Sequence, residues 1–158
     1  MFGSLKNVIA SLVGDTRPQK LEDKNCQLAT AALLTRVATV DSEMSEARRE
    51  KLRVLLKSHF GLDDPAVFQL IRDAAEAARG AVDLYHFTRD LNGALDDEGR
   101  QRAVKMMWQV VYADGRANEF ESNIIWRTAD LLGVSSRRRI ELRQIVAGGR
   151  AVPDLVSP

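Results

Sequence analysis

Apolar residues recur at helical spacing along almost the whole chain, and no stretch alternates apolar and polar positions with period two. The pattern predicts an all-α fold of about eight helices. A first amphipathic segment, Ser4 to Val13, places Leu5, Val8, Ile9, Leu12 and Val13 on one face. Gly14 and Pro18 then interrupt the periodicity. From Asn25 to Val40 the stripe Leu28, Ala31, Leu34 and Ala38 is widened by Leu33, Val37 and Val40, which predicts a nearly buried helix. Ser45 is positioned to cap a helix carrying Leu52, Leu55, Leu56 and Phe60, which Gly61 closes. Asp64 as cap with Pro65 at the first helical position opens another, bearing Val67, Leu70, Ile71, Ala74 and Ala78. After Gly80 comes a shorter helix with Leu84, Phe87, Leu91 and Leu95. Asp96 or Asp97 caps the helix of Val104, Met107, Trp108 and Val111. Ile124, Ile125, Ala129 and Leu132 form the next stripe, ending at Gly133. Ser135 or Ser136 starts a last helix carrying Ile140, Leu142, Ile145 and Val146.

The sharpest local signal is VYADGRANEFE, Val111 to Glu121. It reads as helix, tight acidic turn and second helix: Gly115 supplies positive φ, while Asn118 and Glu121 have the spacing of a capping box. Asp114 is the anomaly. At the carboxyl end of a helix it adds negative charge where unpaired carbonyls already make the field negative, so a compensating group is expected.

Displacing the sequence by 73 residues places Asp41 on Asp114, Glu46 on Glu119, Val37 on Val110, Leu33 on Met106 and Leu52 on Ile125. With one residue dropped, Phe60-Gly61-Leu62 aligns with Leu132-Gly133-Val134, and the cap at Asp64 with Ser136. Two copies of a three-helix unit are implied, each with an acidic turn between its first two helices. A pseudo-twofold packing would bring those turns together. The first copy departs from the second at two points: Ser42 replaces Gly115, and Arg48 stands at the position of Glu121.

The segments ADGRANEFESNIIWRTADLLGVS and, more weakly, DSEMSEARREKLRVLLKSHFGLDD resemble the two halves of the tellurite-resistance TerB family, the resemblance running from about Gln27 to Gly148. It implies a compact TerB-like helical bundle with a clustered acidic surface that binds a divalent cation. It also implies work in stress or envelope-associated complexes with protein partners, without turnover of a substrate.

Composition narrows the remaining options. Lys and Arg total 23 against 22 Asp and Glu, so no bulk charge points to nucleic acid, and any electrostatic function is local. Cys26 is the single cysteine, which excludes an internal disulfide and fits a reducing compartment. No apolar run reaches the roughly 18 residues of a membrane span, and the amino-terminal segment makes a poor signal peptide. These features place the protein in the cytoplasm, with the inner membrane face accessible to the first helix as a peripheral contact. The domain organisation expected is an amphipathic helix and linker at 1–24, a helical domain at 25–148 and a flexible tail at 149–158.

Candidate metal ligands are Asp41, Glu43 and Glu46 from the first turn and Asp114, Glu119 and Glu121 from the second, an oxygen-rich set suited to calcium or magnesium. Against this, Glu119 and Glu121 in a first helical turn are already favoured by the dipole and the capping box. An EF-hand is excluded, because a loop starting at Asp114 would need oxygen donors at Arg116 and a glutamate at Ile125. His59, His86 and Cys26 lack catalytic partners at recognisable spacing, so no catalytic residue is assigned. Trp108 and Trp126 are expected to pack around the acidic turn. Arg137, Arg138 and Arg139, with Arg143 nearby, are expected on a solvated face. The leading reading is a non-enzymatic binding module. Its rivals are a metal-dependent hydrolase using the carboxylates and a membrane-surface adaptor anchored by the first helix.

Overall fold

A computed structural model describes residues 23–40, 43–80 and 84–148 of the chain. The expected amino-terminal amphipathic helix and the tail from residue 149 lie outside these residues, as do Asp41 and Ser42. The described residues are all-helical, with seven α-helices: α1 (Lys24–Ala38), α2 (Glu46–Phe60), α3 (Asp64–Arg79), α4 (Leu84–Ala94), α5 (Asp97–Val111), α6 (Glu119–Leu131) and α7 (Ser136–Ala147). A single 3-10 turn, Tyr112–Asp114, continues α5.

Helices α1 and α5 form the centre. The first packs against α2, α3, α4, α5 and α6, and the second against α1, α2, α6 and α7. On α1 the residues Ala29, Ala31, Ala32, Leu33, Leu34, Val37 and Ala38 are all buried, as the wide apolar stripe predicts. Buried threonines cost little here. Thr30 and Thr35 donate their hydroxyls to carbonyls one turn earlier, Cys26 O at 2.9 Å and Ala31 O at 2.8 Å. The α5 core of Val104, Met107, Trp108 and Val111 is equally enclosed.

Local capping chemistry fixes the helix boundaries, and it recurs along the chain. Asp23 caps α1 and Asp96 caps α5. Ser45 caps α2 and Asn118 caps α6. Asp63 caps α3 and Ser135 caps α7. Each pair is separated by the sequence offset of the two related halves. After α2, Gly61 adopts φ 63° while Leu62 N donates to Lys57 O at 3.0 Å. After α6, Gly133 adopts φ 72° while Val134 N donates to Ala129 O at 2.9 Å. Both are left-handed helix stops in which a non-glycine residue would be strained.

Several expectations need correction. Asp63, not Asp64, is the cap of α3: its side chain accepts from Ala66 N at 2.9 Å, leaving Asp64 and Pro65 in the first turn. Val40 is exposed because α1 stops at Ala38, before Val40 can join the stripe. On α7, Ile140 and Ile145 are exposed. Positions two apart on a helix cannot share a face, and the inward side is instead Arg139, Leu142 and the partly buried Val146. Trp108 is buried, but Trp126 is 42% exposed and lies under the Arg139 guanidinium at 4.7 Å.

Cys26 is buried in the core, and burial pushes its thiol up to about 11. The native protein should therefore resist iodoacetamide at pH 8 and react stoichiometrically once denatured. Rapid native labelling, followed by mass spectrometry, would contradict this packing.

Candidate functional site: the bridged acidic turns

The side chain that joins the two acidic turns is Arg48, on the first full turn of α2 and almost fully buried. Ser45 orients this turn by accepting from Arg48 N at 3.2 Å, so the guanidinium is directed inward across α5. Its Nη1 donates to Glu121 Oε2 and to Ala38 O at 3.4 Å. Its Nη2 donates to Val111 O at 3.1 Å and Arg116 O at 3.3 Å. Its Nε faces Asp114 Oδ2 at 3.2 Å. Three nitrogens thus meet five oxygens, four through hydrogen bonds and Asp114 through an ion pair.

These acceptors explain why an arginine stands there. Ala38 and Val111 are the last residues of α1 and α5, at the ends where helix carbonyls run out of intrahelical donors. A cation between the two helix ends satisfies those oxygens and opposes both dipoles. Arg48 also supplies the compensating charge that Asp114 requires. A lysine would bring the charge but not the planar fork.

Glu121 is 98% enclosed by its neighbours, with a relative exposure of 2%. Its Oε1 accepts from Asn118 N at 2.9 Å, while Asn118 Oδ1 accepts from Glu121 N at 2.8 Å, which completes the capping box expected from the spacing. With Oε2 taken by Arg48, both carboxylate oxygens of Glu121 are engaged. Asp114 is more open, its side chain one-third exposed, and its Oδ2 also accepts from the Ser45 hydroxyl at 3.3 Å. That contact sets the cap of α2 against the turn that follows α5.

The other candidate ligands sit at the rim. Glu43 precedes α2, Glu46 is its first residue and Glu119 is the first residue of α6; all three are exposed. Asp41 lies outside the described residues. Among the described residues, no three His, Cys, Asp or Glu side chains are gathered so that they could hold a metal ion. The described acids therefore do not form one closed ligand set in this arrangement.

The arginine run divides in a way its composition does not reveal. Arg137 is exposed, but Arg139 is buried and donates to Val134 O at 2.7 Å and Asp130 Oδ1 at 3.1 Å, closing the end of α6. Arg143 lies over the Trp108 ring at 4.8 Å and donates to the Tyr112 hydroxyl at 2.9 Å. Arg143 thus backs the 3-10 turn while Arg139 closes the far end of α6, so the expectation of a solvated face is corrected for these two. Burial opposite an available carbonyl outweighs exposure for Arg139.

Arg48→Lys should lower unfolding stability by about 2 kcal/mol in urea titrations, because it loses charged hydrogen bonds in a buried setting. Asp114→Asn should cost below about 1 kcal/mol, as expected for a partly solvated ion pair. Equal effects of the two substitutions would contradict this ordering.

Comparison with known proteins gives one family assignment. No curated protein and no solved structure matches the chain. The model of the family described as tellurite resistance protein TerB matches residues 27–144, a span that contains the bridge and both flanking turns. The chain belongs to the TerB family.

Proposed function

We propose that this TerB-family chain is a non-enzymatic binding module whose working surface is the acidic rim outside the Arg48 bridge. The observation that carries this reading is the Ser45 Oγ to Asp114 Oδ2 contact at 3.3 Å, which sets the turns side by side. Glu43 and Glu46 flank Ser45 in the chain, and Glu119 follows Asp114 five residues on, so exposed carboxylates border this contact on both segments. Their exposure supports recognition at a surface rather than chemistry in an enclosed pocket.

Hard oxygen donors fit calcium or magnesium, with water or a protein partner completing the coordination shell. Glu121 serves as a structural anchor in this reading, because both its oxygens are engaged. Asp114 is the acid that can change allegiance. Its single ion pair is partly solvated, so a bound cation would replace the Arg48 Nε contact with a stronger one. Cation binding would thereby be felt at the ends of α1 and α5, and a partner protein could read the altered turn.

Calorimetric titration of metal-free protein with calcium and with magnesium tests this directly. A saturable heat and a raised Tm are expected. Asp114→Ala should weaken binding about tenfold or more, the effect of losing one charged ligand. No heat and no Tm change with either ion would remove the cation reading.

A further inference from the structure

A concave site lies away from the acidic turns, where the end of α2, the outer face of α5 and the start of α7 line an open cleft of about 380 Å³. That volume is in the range of small-molecule sites. Its apolar lining comes from Leu55, Met106 and Leu142, one from each helix. Its charged lining is dominated by cations: Arg102 and Lys105 from α5 and Arg138 from α7, against Glu98 alone among the acids.

The partners of these cations leave capacity for an anion. Arg102 meets Glu98 only at 3.9 Å, and Glu98 is largely exposed. Arg138 donates its Nε to Gln101 Oε1 at 2.8 Å and pairs its Nη1 with Glu141 Oε1 at 3.2 Å; these contacts fix the guanidinium at the cleft, and Glu141 offsets part of its charge. Lys105 is half-buried and forms no ion pair among the described residues. It also lines a neighbouring hollow of about 240 Å³ with Lys51, which likewise forms no ion pair there. Clustered cations in a partly enclosed site repel one another unless an anion joins them.

We propose that this cleft binds a phosphate group, carried by free phosphate or by a small phosphorylated molecule, between Arg102, Lys105 and Arg138. Planar guanidinium forks and a lysine point charge together suit a tetrahedral dianion. Ser58, Gln101 and Gln109 add neutral hydrogen-bonding groups around it. The apolar lining accommodates the organic part of a phosphorylated ligand.

His59 lies in the same cleft and reports on it. Burial holds its imidazole below the usual histidine range, and the nearby Arg102 charge lowers it further. The charged groups that line the cleft with it are Arg102, Lys105 and Glu98 from α5 and Arg138 from α7. A bound phosphate dianion favours the imidazolium, so it should raise the His59 pKa.

The test uses the full chain in calcium-free buffer, following the Cε1 protons of both histidines by NMR while inorganic phosphate, adenosine monophosphate or acetate is added at constant ionic strength and pH. The expected result is a saturable His59 shift with phosphate or the monophosphate, with His86 unmoved and acetate without effect, and a raised His59 pKa when the pH titration is repeated at saturating ligand. Tighter binding of adenosine monophosphate identifies a phosphorylated molecule as the ligand; equal binding identifies phosphate itself. Lys105→Gln and, independently, Arg102→Gln should each weaken binding about tenfold, a loss of about 1.4 kcal/mol, while the exposed Arg127→Gln leaves it unchanged. Parallel unsaturable shifts of both histidines, an equal response to acetate, or wild-type affinity in folded Lys105→Gln and Arg102→Gln proteins would overturn the proposal.

Discussion

The guanidinium of Arg48 is the point on which the two halves of this bundle depend. It is buried, it meets the carboxylates of Asp114 and Glu121, and it takes up carbonyls at the ends of both central helices. Burying a charge is costly unless its partners are well placed, and here two carboxylates and three backbone carbonyls lie within reach of the guanidinium. The consequence is asymmetric. The complete network offsets its desolvation, whereas removal of a single member leaves a buried charge or an unpaired helix end.

The bridge also gives a physical reason for the divergence of the two halves. Arg48 and Glu121 occupy equivalent positions in the repeat, yet they touch each other. Residues separated by the 73-residue offset thus meet across the bundle. Two glutamates there would place like charges together in a dry setting, so the positions must be complementary rather than identical. The carbonyls of Ala38 and Val111, again equivalent, converge on the same arginine. Around this point Leu52 and Ile125 keep their matched apolar roles and are both buried.

Much of the fold was legible because helix periodicity and capping are local. The Asn118 and Glu121 spacing led to the observed capping box, and Gly61, Gly115 and Gly133 all adopt positive φ at the turns they terminate. What escaped the sequence depends on contacts between distant segments. Arg48 stood out only as a departure from the repeat, although a charge reversal opposite an uncompensated acid was the available clue. Arg139 looked like part of a solvated run because composition cannot reveal that one arginine in three turns inward to a carbonyl. The candidate ligands divided for a similar reason: the buried Glu121 is fastened on both oxygens, while Glu43, Glu46 and Glu119 remain at the rim.

If the bridge couples the halves, the energies of its members must be interdependent. The most direct measurement is a double-mutant cycle of Arg48→Met and Glu121→Gln by urea denaturation, the glutamine retaining the capping-box acceptor. Each single substitution should be strongly destabilising, and the double should cost less than their sum by at least about 1 kcal/mol. Strict additivity would show that Arg48 and Glu121 stabilise their own helices independently, and would contradict the account.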